Sequence, residues 1–380
     1  MKMVVLGAGL QGCACAYDLL QNPAVRQVTL ADLRTEHLPA FLAGDWGGRL
    51  RPVRLDVADL GAVHETLSGN DAVMSAIPYY YNGPMARAAV EAACHFSDLG
   101  GNTEIVFEQK KLHQEALARG VSVIPDCGLA PGMVNILAAE GIRRLDHAEQ
   151  VRVYVGGLPQ QPEPPLNYQI VYSLEGALDY YTTPSWVLRG GQPTQVDALS
   201  ELEAVEFPAP VGTLEAFHTG GGISTLPFAY EGQIDTMEYK TLRYPGHVAV
   251  MRPIRELGLL DLKPVEVKGQ TVVPRDLFIA AVHPRLHKPQ GRDLVALQVR
   301  VSGTKGGVPQ RVTFRLIDYY DAEHGISAMM RTTGYSLAIT GLMQTDGRVT
   351  RKGVHTPDEA MPFQPYVTEL ARRGIRIEEL

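Results

Sequence analysis

Residues 3–32 read MVVLGAGLQGCACAYDLLQNPAVRQVTLAD, from Met3 to Asp32. A short apolar run, Met3–Leu6, feeds Gly7-x-Gly9-x-x-Gly12. An Ala-rich helical stretch follows, and a second apolar run ends on an acid 20 residues past Gly12. Strand, glycine turn, helix, strand and acid in this order mark a βαβ unit that carries a dinucleotide over its first strand. Gly7 and Gly9 let the backbone turn tightly and approach a pyrophosphate, and Gly12 lets the helix pack near the strand. Leu10 and Gln11 belong to the same turn, where the helix N-terminus favours negative charge. A carboxylate at Asp32 accepts from both ribose hydroxyls of an adenosine and repels a 2′-phosphate, which favours NAD. Arg34, beyond Leu33, can stack on adenine or meet a 2′-phosphate, and so keeps NADP open.

The alternation continues outward from this unit. Strands are expected at 3–6, 28–31, 51–55, 72–75, 95–98 and 121–124, with helices at 11–21, 36–44, 60–67, 83–93 and 103–118. This pattern predicts an α/β fold built on a Rossmann-type doubly wound parallel sheet. Ligands bind such sheets at the carboxyl ends of the strands. Those ends carry Asp56 with Val57, Ile77 with Pro78, Leu99–Asn102 and Asp126–Gly132. Asp56 can accept from the adenine amine or cap a turn. The small residues of Ser75-Ala-Ile-Pro78 suit a backbone that passes close to the nicotinamide ribose. Tyr79, Tyr80 and Tyr81 can wall the nicotinamide or pack a domain interface.

After residue 145 the texture changes. Strand-like runs fall at 151–155, 166–172, 237–242, 294–301 and 311–319, with a Pro/Gln-rich loop over 157–167. This predicts a second, mixed α/β (α+β) domain rather than another doubly wound unit. The apolar helix-like run 333–342 is expected to return to the first domain. The division is then 1–125 for the NAD(P)-binding domain, completed by about 326–350, with 126–325 for the second domain and 351–380 as a tail packed on the pair.

At 380 residues, with 45% hydrophobic and 20% charged residues, the chain fits a globular enzyme of two domains. A net charge of −7 argues against a nucleic-acid or anionic-membrane binder. No uncharged apolar run is long enough for a membrane span, and with the sequence opening on a strand no signal peptide is expected. Four scattered cysteines, Cys13, Cys15, Cys94 and Cys127, suit a reducing, cytoplasmic setting. No histidine or cysteine spacing supports a metal site.

Five further blocks carry a resemblance across nearly the whole chain. They are Asp126-Cys-Gly-Leu-Ala-Pro-Gly132, Ser173-Leu-Glu-Gly176 with Tyr180–Tyr181, Phe217-His-Thr-Gly-Gly, Lys240-Thr-Leu-Arg-Tyr-Pro-Gly-His247 and Lys352-Gly-Val-His-Thr-Pro-Asp358. With the glycine turn, they resemble the saccharopine dehydrogenase-like family. Within it, the length and the second and fourth blocks look most like the L-lysine 6-dehydrogenases. The resemblance implies an NAD(P)-dependent oxidoreductase acting on C–N bonds, a homodimer or higher oligomer whose second domain, 126–325, carries the substrate pocket and the dimer contacts. The reaction it implies is oxidation of L-lysine at the ε-amino carbon to aminoadipate semialdehyde, with release of ammonia and cyclisation to a piperideine carboxylate. A saccharopine-type or carboxynorspermidine-type reductase that forms a secondary amine is the alternative, and a non-catalytic dinucleotide sensor is a third reading.

Oxidising a primary amine by hydride transfer needs the amine neutral, yet a lysine ε-amine titrates near ~10.4. A general base is required, and so is an arginine fork for the substrate carboxylate. Asp126, at a strand end, is a candidate base or a helix cap. Along a strand, Lys240 and Leu242 share one face, Thr241 and Arg243 the other. Lys240 is a candidate base if desolvated, or a structural partner of a carboxylate. His247, after a Tyr-Pro-Gly turn, is a candidate base or a buried structural histidine. Arg243 is the candidate for the carboxylate, with Arg311 and Arg331 as rivals. Glu175 is the candidate for the substrate ammonium or a cap of the next helix. Thr219, in a glycine-rich loop, and Tyr80 complete the candidate substrate contacts.

Overall fold

The computed structural model describes residues 1–380. Six parallel strands form the first sheet: β1 (Lys2–Leu6), β2 (Gln27–Asp32), β3 (Leu50–Arg54), β4 (Ala72–Ser75), β5 (His95–Asp98) and β6 (Ser122–Ile124). Their order is β3-β2-β1-β4-β5-β6, the doubly wound arrangement whose switch point lies between β1 and β4. Met3 and Val5 point into one core, Val4 and Leu6 into another, so β1 is buried on both faces. This is why its sequence is apolar without alternation.

The second sheet is mixed. Its strands are β7 (His147–Pro159), β8 (Ser185–Arg189), β9 (Gln192–Val196), β10 (Glu203–Glu206), β11 (Thr213–His218) and β12 (Thr236–Arg243). A separate hairpin, β13 (Val265–Val267) with β14 (Gln270–Val272), stands outside it. Two long strands, β15 (Asp293–Lys305) and β16 (Val308–Tyr319), then extend the sheet. β12 runs parallel to β7, and the other pairs are antiparallel. The C-terminal segment serves both sheets: β17 (Gly353–Val354) adds to β6, and β18 (Glu378–Glu379) adds to β16.

One continuous core runs from the first sheet through the helix Ala328–Thr345 to the second sheet. Ser327 caps that helix by accepting from the Met330 amide at 3.0 Å. It lies on the first helix, Leu10–Gln21, so closely that a Cβ at Gly334 would stand 2.7 Å from the Ala14 Cβ. The alanine-rich sequence of the first helix therefore serves this contact as well as the glycine turn.

Three local expectations fail for visible reasons. The run 36–44 forms only a 3-10 turn, Ala40–Leu42, because Pro39 interrupts it. The helix over 103–118 is two helices, Thr103–Lys110 and His113–Ala118, parted at Leu112, which turns inward. Residues 166–172 form no strand. Pro162, Pro164 and Pro165 remove the donors just ahead of this run, and it crosses as a loop that buries Leu166 and Tyr168.

Candidate active site

The glycine turn is a cradle built for close approach. Gly7 takes φ +97°, and a Cβ there would lie 2.7 Å from the Ala76 carbonyl oxygen; a Cβ on Gly12 would collide with the Gly7 carbonyl. Around Gly9 a Cβ would meet nothing within 4 Å, so the turn is open where a pyrophosphate would sit. Asp32 accepts from the Ala8 amide at 2.7 Å through one oxygen and from the Arg34 amide at 2.9 Å through the other. Each oxygen keeps a lone pair for a ribose hydroxyl. Leu10 and Leu33 are both more than half exposed beside this turn, where a bound dinucleotide would cover them. Asp56 accepts from the Ala58 amide at 2.9 Å in a local turn, which leaves its other oxygen free. Val57 packs on the core behind it, Ile77 stands beside Gly7, and Pro78 is exposed at the rim. These residues fit a dinucleotide. Gly7 to Gly12 would hold the pyrophosphate, and Asp32 the adenosine ribose.

Beside the helix start at Gln11 a cavity of about 220 Å³ opens between the two sheets. β12 supplies one wall. Tyr239, Thr241 and Arg243 share its inner face and all line the cavity. Tyr172 and Tyr180, Thr219 with Gly220, Leu99 with Gly100, Gly128–Ala130 and the helix residues Met329 and Thr333 complete most of the lining. Thr219 and Thr241 share a hydrogen bond of 2.7 Å, which ties the glycine-rich loop to β12. Arg243 is the lining's one cation, 3% exposed, and no carboxylate lies within ion-pair distance of it. Its guanidinium lies over the Tyr168 ring at 4.8 Å.

Asp126 stands directly behind the Gly100 part of the wall. A Cβ on Gly100 would collide with its carboxylate. It is 1% exposed, takes a left-handed φ of +62°, and both carboxylate oxygens lack a hydrogen-bond partner of good geometry. Its backbone amide is held by the Asp98 carboxylate at 3.1 Å. Burial first, and the neighbouring Asp98 charge second, push the Asp126 carboxyl up to about 7. A buried carboxylate at a strand end, with a left-handed backbone and a raised pKa, is a functional candidate.

The other expected acid/base groups lie elsewhere. Lys240 points to the opposite face of β12, as the alternation requires. There its ammonium donates to the Glu201 carbonyl at 2.7 Å and to the Glu203 carboxylate at 2.8 Å. On the same side, Arg189 lies 2.8 Å from both the Glu201 and Glu238 carboxylates, with His218 beside them. A guanidinium thus meets the charge of this acidic group. Lys240→Met is expected to lower Tm, because Glu203 loses its nearer cation and keeps only Arg152 at 3.8 Å, and to leave kcat unchanged; steady-state kinetics with thermal melting checks both.

His247 is 1% exposed and opens the helix His247–Glu256. Its Nδ1 lies 3.1 Å from the Leu166 carbonyl and its Nε2 3.0 Å from the Tyr181 hydroxyl. Burial, with the nearby Arg243 charge second, lowers it to about 3, so it is neutral. Glu175 is exposed in the first turn of the helix Leu174–Thr182, which Ser173 caps, and does not reach the cavity. Tyr80 is 58% exposed against Tyr79 and Tyr81, outside the lining. Arg331 is ion-paired with Asp318 at 2.9 Å, and Arg311 is exposed on β16. Of the expected substrate contacts, the structure brings Arg243 and Thr219 to the cavity. The sequence reading missed Tyr172, Tyr239 and Thr241. The last two were within reach, since they follow from Arg243 by the same alternation.

Residues 3–124 match the saccharopine dehydrogenase NADP binding domain, and residues 128–375 match the saccharopine dehydrogenase C-terminal domain. The saccharopine dehydrogenase [NADP(+), L-glutamate-forming] of Schizosaccharomyces pombe is 22% identical over 100% of this chain and 98% of its own. The carboxyaminopropylagmatine dehydrogenase of a Synechocystis strain is 20% identical over 100% of this chain and 97% of its own. Among solved structures, the apo saccharopine dehydrogenase (L-Glu forming) of Saccharomyces cerevisiae superposes with a TM-score of 0.81 at 22% identity, covering 100% of this chain and 99% of that one. The chain belongs to the saccharopine dehydrogenase family of NAD(P)-dependent oxidoreductases.

Proposed function

We propose that this enzyme is an NAD-dependent amino-acid dehydrogenase that removes the ε-amino group of L-lysine. One observation carries the reading: a small cavity whose single charge is a buried arginine without a counter-ion. At about 220 Å³ it is below the usual size of a pocket for a drug-like ligand, which suits one linear amino acid. The alignment with the S. pombe relative runs over 453 positions against 380 residues here, so that relative carries segments this chain lacks.

Arg243 would take the α-carboxylate, since a guanidinium fork matches it in shape and charge. The cavity wall carries a cation and no carboxylate, so an amine entering it is driven toward its neutral form. Asp126 would receive the proton the amine gives up. The nicotinamide, when bound, accepts the hydride that leaves the amine-bearing carbon. The substrate is then an iminium; Asp126, once it has released the first proton to solvent, would take one from the attacking water and return it to the nitrogen as the carbinolamine collapses, giving the aldehyde and ammonium. Tyr172, Tyr180 and Tyr239, whose hydroxyls burial raises above their ordinary range, stay protonated and would be available as donors to a substrate.

Asp32 supports NAD over NADP, because its charge faces the position a 2′-phosphate would take. Purified enzyme with L-lysine and NAD is expected to raise absorbance at 340 nm, with a smaller kcat/KM for NADP. A second reading is a reductase that condenses an amino acid with an aldehyde. A polar cavity of about 480 Å³ beyond Tyr168, lined by Gln161, Lys288 and Arg292, favours it, as do the relatives' names. Consumption of NADPH with glutamate and a semialdehyde, and no reaction with lysine, would establish that reading instead.

A further inference from the structure

We propose that Tyr181 and His247 are positioning residues that aim Arg243, and so set the preference for a carboxylate-bearing amine over the same amine without the carboxylate. The inference rests on Arg243 taking the substrate carboxylate. It follows from the one way the protons between these residues can be arranged.

The Leu166 carbonyl has no proton to give, so the 3.1 Å contact requires His247 Nδ1 to donate. A neutral imidazole then has a lone pair on Nε2. Tyr181 must donate its hydroxyl proton to that nitrogen across 3.0 Å. This leaves the Tyr181 oxygen as an acceptor, and Arg243 Nε donates to it across 3.2 Å. Every step runs in one direction, from guanidinium to tyrosine to histidine to carbonyl. No member of the chain can turn without breaking a buried hydrogen bond.

The consequence falls on Arg243. A guanidinium has five N–H donors. One on Nε is held by Tyr181, and one on Nη1 is held by the Leu242 carbonyl at 2.8 Å. The Tyr168 ring supports the guanidinium from one face. The fork is fixed in plane and tilt before substrate arrives, with the Nη2 donors unspent beside the cavity. An arginine free to rotate would lose that freedom on binding, and affinity for the carboxylate would fall accordingly. His247 touches neither substrate nor the reacting carbon. Its contribution passes through Tyr181.

The test compares L-lysine with 1,5-diaminopentane, which offers the same reacting amine and no carboxylate. Tyr181→Phe and His247→Leu are expected to lower kcat/KM for lysine about tenfold more than for the diamine, chiefly through KM. His247→Gln is expected to restore most of the preference, because its amide can accept from Tyr181 and donate to Leu166. Equal losses on both substrates, or a full preference in His247→Leu, would overturn the inference. If the wild type does not prefer lysine to the diamine, the carboxylate assignment of Arg243 falls instead. A readout independent of substrate is the 15N spectrum of histidine-labelled enzyme, assigned with His247→Gln. It is expected to give His247 as the neutral tautomer protonated on Nδ1; the Nε2-protonated tautomer would overturn the relay.

Discussion

Replacing Asp126 by asparagine is expected to lower kcat by about 10²–10⁴-fold and to leave the Kd for NAD unchanged. The variant keeps the size of the side chain against Gly100 and removes only the ability to take a proton. Titration of NADH fluorescence separates the two effects. In the wild type, kcat/KM should rise with pH through about 7, because the base acts only when ionised and burial holds its carboxyl there. In the variant that limb should vanish. Stability supplies a second, opposite sign. The folded state holds this proton up to about pH 7, whereas the unfolded chain releases it near its ordinary value of 3.8. The folded state therefore binds more protons in that window, and stability falls as pH rises through it. Asparagine does not titrate, so Asp126→Asn should melt higher than wild type at pH 8 and no higher at pH 3. A variant that lost activity together with stability at pH 8 would point to misfolding. Wild-type turnover would remove Asp126 from the chemistry.

The first sheet was legible because its signals are local. Gly7, Gly9, Gly12 and Asp32 are fixed by backbone geometry within a few residues, and the strands they join are buried on both faces. The alternation along β12 was legible for the same reason, and it separates Lys240 from Arg243. What it lacked was the identity of the inner face. That depends on β7 and β12 lying parallel, with Gly156 close against Leu242, a contact between distant segments. Asp126 was found by its place at a strand end. Its surroundings were not legible, because Gly100, Asp98 and Ser224 are brought beside it by other parts of the chain. His247 illustrates the limit most clearly. A histidine in a dense polar block suggests a base, yet the loop carrying Leu166 and the helix carrying Tyr181 occupy both its nitrogens. Neither segment announces that contact in sequence.

Arg243→Met is expected to lower kcat/KM for L-lysine by about 10²–10³-fold, as loss of one partner in a buried charge-assisted pair does. The loss on 1,5-diaminopentane should be far smaller. The same substitution should raise Tm, and the physical reason is the absence of a counter-ion. A buried cation stabilises a fold only where a carboxylate meets it. Arg331 has Asp318 at 2.9 Å, and Arg373 has Asp18 at 2.6 Å. Arg243 has one tyrosine ring, one hydroxyl and its neighbour's carbonyl. Methionine follows a similar course through the site and carries no charge to desolvate. Arg331→Met, by contrast, should lower Tm, because it strands the buried Asp318 carboxylate. The two variants therefore separate a cation kept for the fold from one kept for a ligand. A carboxylate ligand makes the distinction sharper still. Adding a saturating amino-acid substrate or inhibitor should raise the Tm of wild type and of Arg331→Met, and should leave Arg243→Met where it was. If Arg243→Met melts lower than wild type and still binds the amino acid, the guanidinium is structural and the carboxylate must be held elsewhere.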